Sequence, residues 1–295
     1  MSGKEFFLNR YEQLGWKFQE VKLRQAIRVN ENNAKGKKLI SRLERIGLHL
    51  QKIPFLVSGY WVMDSKVSPG ATAEYLLGLY SIQEPAAQIP VSLFTHLKGK
   101  KVLDAAAAPG GKTVQLADSM DNTGVIAALD VNKRRLYALS NHLERCHVKN
   151  SVVYLLDARQ VSKLNVKFDK LLVDAPCSGN FASDREWFKN RTIKDVERNA
   201  ALQREILTHA VEYLSEDGEI VYSTCSLEPE EDELNIDWAI KNLDLRVEQI
   251  YSHGEKGLLN VFGKQLDPSI KYSRRLWPGD TQGFFACKLK RSNTP

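Results

Sequence analysis

No run in this chain approaches the length of an apolar membrane span. Its first residues, Met1-Ser-Gly-Lys-Glu, lack the apolar stretch of a signal peptide. Cysteine is scarce: four in 295 residues, at 146, 177, 225 and 287, with no C-x-x-C pair. That argues against a disulfide framework and a zinc site, predicts no bound metal, and suits a reducing cytoplasm. There is no internal repeat and no low-complexity tract. A G-x-G-x-x-G fingerprint is missing, and the one P-loop-like tail, Gly111-Lys112-Thr113, has Ala106 where the first glycine belongs.

What is present is an ordinary globular composition, 43% hydrophobic and 26% charged, in a chain long enough for a core domain and a smaller one. Residues 1–52 hold 12 Lys or Arg against 5 Asp or Glu, a balance of +7, which leaves the remainder about neutral within a total of +6. A basic front end on a neutral body suggests a polyanionic partner, most simply nucleic acid, although a solvated helix face would carry the same charge.

The stretch Lys101-Val-Leu-Asp-Ala-Ala-Ala-Ala-Pro-Gly-Gly-Lys-Thr113 organises the rest. It reads as strand, tight loop and helix start, with small side chains that let a ligand rest against the backbone. From 100 onward, strand candidates at 101–104, 125–130, 152–156, 170–174, 219–224, 245–250 and 283–289 alternate with helical patterns at 112–119, 132–145, 197–215 and 230–242. This alternation predicts an α/β, Rossmann-like, mostly parallel seven-stranded sheet with an antiparallel last strand. Upstream, a helix over 5–18, a strand at Ala26–Asn30, a loop at 31–38, a helix capped by Ser41, and short strands at Phe55-Leu-Val and Tyr60-Trp-Val-Met suggest a small α+β domain. The expected division is 1–65 for that basic domain, 66–99 for a connector packed on the core, and 100–295 for the catalytic domain.

Ligands of such sheets bind beyond the C-terminal strand ends. Successive strands end in the Gly-Gly loop, in Asp130, in Asp157, in Asp174-Ala-Pro-Cys-Ser-Gly179 and in Ser223-Thr-Cys-Ser226. One acid there could be a helix cap; three beside a small-residue loop suit S-adenosylmethionine, whose hydroxyls and amines need acidic partners. Cys177 and Cys225 converge on the same edge, where a thiolate would be a nucleophile. Cys146 and Cys287 read as buried packing residues. No aromatic follows Asp174-Ala-Pro-Cys, which disfavours methylation of an exocyclic amine. Carbon needs covalent activation, which a cysteine supplies.

These motifs together resemble the RNA cytosine-5 methyltransferases, the family of Nop2/Sun-domain enzymes and their bacterial ribosomal counterpart, in a short archaeal-type form. The similarity runs through Asp104–Thr113, Asp130 with Arg135, both cysteine motifs, Arg28-Val-Asn, and Pro278 with Thr281-Gln-Gly-Phe-Phe-Ala. Glu31 stands where threonine is usual and Gly279 where histidine often is; the chain has no room for the appended RNA-binding domain of some relatives. The resemblance implies that Cys225 adds to C6 of cytosine and Cys177 assists release. Asp174 would engage the base edge, and Lys112 would pair with it or position the nucleotide. The cofactor would lie against Ala106, Ala107, Ala108, Pro109, Gly110, Gly111 and Lys112. Asp130, Arg135, Asp157 and Asp174 would surround its ribose, adenine and methionine ends. The implied target is RNA, with a self-contained monomer suggesting transfer RNA over ribosomal RNA. Two rivals are an inactive assembly factor, which would have lost a cysteine or a cofactor acid, and a DNA enzyme, which would carry Pro-Cys-Gln.

Overall fold

The computed structural model describes residues 3–292. Its first helix, Lys4–Gln13, buries Phe7 and Tyr11. These rings pack on the catalytic body, with Trp187, Val196 and Leu227, rather than on the sheet that follows. Phe7 meets Trp187 edge-on at 4.6 Å between centroids, and Trp16 stacks on Trp277 at 5.4 Å. Aromatic pairs of this geometry add to the burial that already holds such a helix in place.

Residues 16–25 run without regular structure into a four-stranded antiparallel sheet. Its order is Leu48–Lys52, Gly59–Ser65, Ala26–Val29, Tyr80–Ile82. Ala26–Val29 is central and buried throughout, as its apolar alternation with Arg28 does not by itself require. The fourth strand comes from the segment read as connector. A helix at Gly36–Arg45 seats Leu39 and Leu43 on Ile27, Val29, Leu48 and Tyr80. Ser41 is therefore mid-helix, where its Oγ donates to the Lys37 carbonyl; it does not cap the N-terminus. Phe55-Leu-Val is a turn between strands rather than a strand.

The large sheet runs Glu255–Lys256, Arg274–Leu276, Phe284–Arg291, Leu214–Thr224, Phe168–Asp174, Lys101–Asp104, Val125–Asp130, Ser151–Leu155. The pairs from Ser151–Leu155 across to Leu214–Thr224 are parallel, and Phe284–Arg291 is antiparallel to its neighbour, as the sequence predicts. The outer edge of Phe284–Arg291 is shared by Arg274–Leu276 and Leu245–Glu248, so the sheet has nine strands among the described residues rather than seven. Fully buried Val102, Leu103, Leu171, Leu172, Ile220 and Val221 fill both faces of its centre, where the helices cover it. The long helix Ile193–Glu212 starts four residues before the expected 197, because Thr192 and Asp195 form a capping box that fixes its first turn.

Candidate active site

The small-residue loop turns tightly: Ala107 N–H bonds the Leu129 carbonyl and Gly110 N–H bonds the Ala107 carbonyl, both at 2.8 Å. Gly110 has φ 104°, and a Cβ there would lie 2.9 Å from Leu139 Cδ1, so only glycine serves. A Cβ on Gly111 would sit in ordinary contact with the Gln83 side chain at 3.8 Å, so the first turn of helix Gly111–Ser119 would take a small side chain without strain. His142 braces the loop, with Nδ1 3.2 Å from the Pro109 carbonyl and Nε2 3.1 Å from Ser81 Oγ. Burial pushes this imidazole down to about 4, so it is neutral at physiological pH.

Asp130 ends the next strand with one oxygen accepting Asn132 N–H at 2.8 Å. Its other oxygen faces Arg135 Nη1 at 3.5 Å, beyond a good hydrogen bond, while Arg135 also donates to the Ala108 carbonyl. A carboxylate at this strand end, beside a small-residue turn, has the chemistry to accept hydrogen bonds from ribose hydroxyls. Asp157 is differently placed. It caps a short 3₁₀ segment through Arg159 N–H, and its carboxylate is engaged by the Arg159 guanidinium at 2.7 Å.

The two cysteine loops end the neighbouring strands Phe168–Asp174 and Leu214–Thr224. Their Sγ atoms lie 3.3 Å apart. Asp174 is held from both sides, by Lys112 Nζ at 2.6 Å and Ser223 Oγ at 2.7 Å. Lys112 thus reaches from the glycine turn to the cysteines. Burial pushes its ammonium down, and the charge and hydrogen bond of Asp174 outweigh this and hold it above the ordinary range. The Cys177 S–H hydrogen-bonds Cys225, which raises the Cys177 thiol and lowers the Cys225 thiol; Lys112 favours the Cys225 thiolate as well. Cys146 and Cys287 are buried away from this edge.

Several supporting residues have roles that only the folded structure shows. Glu231 is fully buried and accepts both the N–H and the Oγ–H of Ser178 at 3.1 Å; Ser178 Oγ in turn lies 3.2 Å from Ser226 Oγ. Asn180 Nδ2 donates to the Cys225 carbonyl at 2.7 Å. Arg275, buried, donates to Glu233 at 2.8 Å, Asp232 at 2.9 Å and the Leu227 carbonyl at 2.9 Å. Arg28 is a buried strut from the small sheet to the glycine-turn helix, bonding Gln83 Oε1 at 2.8 Å and Asp118 Oδ2 at 3.3 Å. Arg10, Arg28 and Arg42 all sit in internal ion pairs, so part of the basic N-terminal charge is structural. Among the described residues no group of His, Cys, Asp or Glu is arranged to hold a metal, and no helix is long and apolar enough to cross a membrane.

Comparison with known proteins places these features. Residues 92–290 match the family described as 16S rRNA methyltransferase RsmB/F, and residues 4–85 match the N-terminal domain of 16S rRNA methyltransferase RsmF. The chain is 35% identical over 275 residues to a mouse (Mus musculus) 28S rRNA (cytosine-C(5))-methyltransferase, covering 90% of this chain and 35% of that protein. It is 34% identical over 280 residues to the ribosomal RNA small subunit methyltransferase F of Aeromonas hydrophila, covering 91% and 58%. It therefore spans between about a third and three fifths of these curated relatives. A crystal structure of a methyltransferase homolog protein from Pyrococcus horikoshii superposes with a TM-score of 0.86 at 36% identity, covering 98% of this chain and 95% of that one. The match to the family extends through the glycine turn, the strand-end acids and both cysteine loops, and the chain belongs to the RsmB/F methyltransferase family.

Proposed function

We propose that this protein transfers a methyl group from S-adenosylmethionine to C5 of a cytosine in RNA. The observation that carries this reading is the pair of thiols 3.3 Å apart at adjacent strand ends, beside the Lys112–Asp174 ion pair. S-adenosylmethionine would supply the electrophilic methyl group, held by the Ala106–Lys112 turn, Asp130 with Arg135, and Asp174. Asp157 completes the set only if its carboxylate turns from Arg159 toward an adenine amine.

Cys225, as thiolate, adds to C6, and the electron pair displaced onto C5 makes that carbon nucleophilic. Asp174 hydrogen-bonds the base edge, and Lys112 fixes its carboxylate in place. C5 would take the methyl group as the methyl C–S bond breaks, with S-adenosylhomocysteine as the leaving group, and Cys177 then assists passage of the C5 proton to solvent. The electron pair of that C–H bond reforms the C5–C6 double bond as the bond from Cys225 to C6 breaks. A stacked base hides C6 from a thiolate, so the target must be flipped out or unpaired.

The names of the relatives favour ribosomal RNA over the transfer RNA suggested by chain length. Bisulfite sequencing of total RNA from cells with and without the gene tests both levels. The expected result is a cytosine in ribosomal RNA that resists conversion only when the protein is present. A site in transfer RNA would move the substrate, and no difference in any RNA would remove the activity.

A further inference from the structure

Beside the Cys177 loop lies an open groove of about 800 Å³ between the N-terminal segment and residues 181–189. Three half-buried rings form its wall: Phe181 and Phe188 stack at 5.1 Å with an interplanar angle of 15°, and Phe18 leans on Phe181 at 5.3 Å. Lys4, Arg185 and Lys189 also line it with one acid, Glu20, and Lys189 is itself paired with Glu186 at 2.6 Å. Lys4 Nζ stands 4.7 Å from the Phe18 ring centre. The groove adjoins the catalytic loop along the chain: Phe181 directly follows Asn180, whose amide donates to the Cys225 carbonyl.

The outer rings are only half-buried, although the same cluster completely buries Phe7 and nearly buries Trp187. Packing of the first helix is satisfied by those inner rings. Partly exposed aromatic rings at a solvent groove, with cations around the mouth, match the two components of a single-stranded nucleic acid: bases that stack and phosphates that need positive charge. A protein partner would be met by apolar side chains of varied shape, not by aromatic rings rimmed with ammonium and guanidinium groups.

We propose that this groove is a stacking subsite for an unpaired RNA base neighbouring the target cytosine, with Arg185 and Lys4 on the adjoining phosphates. The proposal rests on the RNA reading above. It gives a flipped cytosine a place for the neighbour that loses its stacking partner, and it would select a target in a loop or single strand over one inside a continuous duplex.

The test is a double-mutant cycle between protein and RNA. A short unstructured RNA with one cytosine is compared with copies in which each flanking base in turn is replaced by an abasic ribose. Binding is read by fluorescence anisotropy and turnover by methyl transfer. For the wild-type protein, one abasic position should weaken binding roughly 5- to 150-fold, the range of base–aromatic stacking. Phe18→Leu, which keeps the apolar bulk and loses the ring face, should weaken the intact RNA similarly and abolish most of the abasic effect at that position. Arg185→Ala should lower the salt dependence of binding by about one released counterion without changing the abasic response. Additive effects of Phe18→Leu and the abasic positions overturn the subsite. If the wild type binds RNA with this coupling yet transfers no methyl group, the subsite stands and the methyltransferase reading falls.

Discussion

Glu231 clamps Ser178. Both carboxylate oxygens lie 3.1 Å from the Ser178 amide, and one also receives the serine hydroxyl. Ser178 adjoins Cys177, while Glu231 lies in the segment that follows Cys225, so one buried side chain ties the two reactive loops together. Burial pushes this carboxyl up to about 7, with the serine hydrogen bonds pulling it back. Either protonation state can accept from Ser178.

Glu231→Ala should therefore loosen the thiol pair while leaving RNA contacts alone. A lost buried hydrogen-bond acceptor costs about 1–3 kcal/mol of folding stability, and misplacing the thiol pair by even about 1 Å should lower kcat by up to about 100-fold. KM for RNA should change little, and Glu231→Gln should recover most of the rate. Equal loss of kcat and gain of KM in the Ala variant, with no rescue by Gln, would mean that the residue serves general stability.

The cysteines should separate on a denaturing gel. Cys225→Ala removes the attacking thiolate and should end methyl transfer. Cys177→Ala still permits addition to C6 but slows release, so a protein–RNA adduct should accumulate and collapse to a small mass increment after nuclease digestion. The double variant should form none. Trapping by Cys225→Ala instead would exchange the two roles, and unaltered methylation in both single variants would end the covalent mechanism.

Arg275 is the site's deepest cation. It bonds Glu233, Asp232 and the Leu227 carbonyl while fully buried. Arg275→Met leaves two buried acids without their partner, and breaking a buried pair in this way costs about 3–5 kcal/mol. Urea unfolding should show that loss. Arg275→Lys should recover part of it, since an ammonium supplies charge but not the planar fork. A change below about 1 kcal/mol for the Met variant would mean that this cation contributes no more than an exposed ion pair does.

Much of this architecture is legible locally. The central strands read correctly because short apolar runs are closed by acids, glycines or cysteines, and those same closing residues line the site. The errors fall where the deciding contact is distant. Ser41 looks like a cap, but the apolar face shared by Leu39 and Leu43 draws the helix start back to Gly36. Tyr80–Ile82 is three residues long and becomes a strand only by pairing with Ala26–Val29, more than fifty residues earlier. Glu231 and Arg275 look like ordinary members of charged stretches, and their roles depend on partners that only folding brings near.

Asp104 gives a pH signature of its own. It ends the first core strand, buried, with one oxygen accepting from Thr113 Oγ1 at 2.7 Å and the other unpartnered among the described residues. Burial pushes its carboxyl up to about 7, against the pull of the Thr113 hydrogen bond. In the unfolded chain an aspartate titrates near 4, at about 3.9. Between those values the folded state holds a proton that the unfolded state has released, so stability falls as pH rises from about 4 to 7 and levels off above. Glu219 has the opposite sign. Burial pushes it up, but hydrogen bonds from Lys170, Lys288 and Thr95 outweigh that and hold it at about 2, so its contribution is lost only as pH falls from about 4 toward 2. Buried Glu228 and Glu231, both raised to about 7, add to the Asp104 trend in the wild type and must be subtracted. Asp104→Asn does this, because asparagine mimics the protonated acid and still accepts from Thr113. The stability difference between variant and wild type, from urea unfolding at intervals between pH 4 and 8, should grow in favour of the variant up to about pH 7 and then stay constant. Parallel curves across that window would show that Asp104 is ionised in the folded protein at neutral pH.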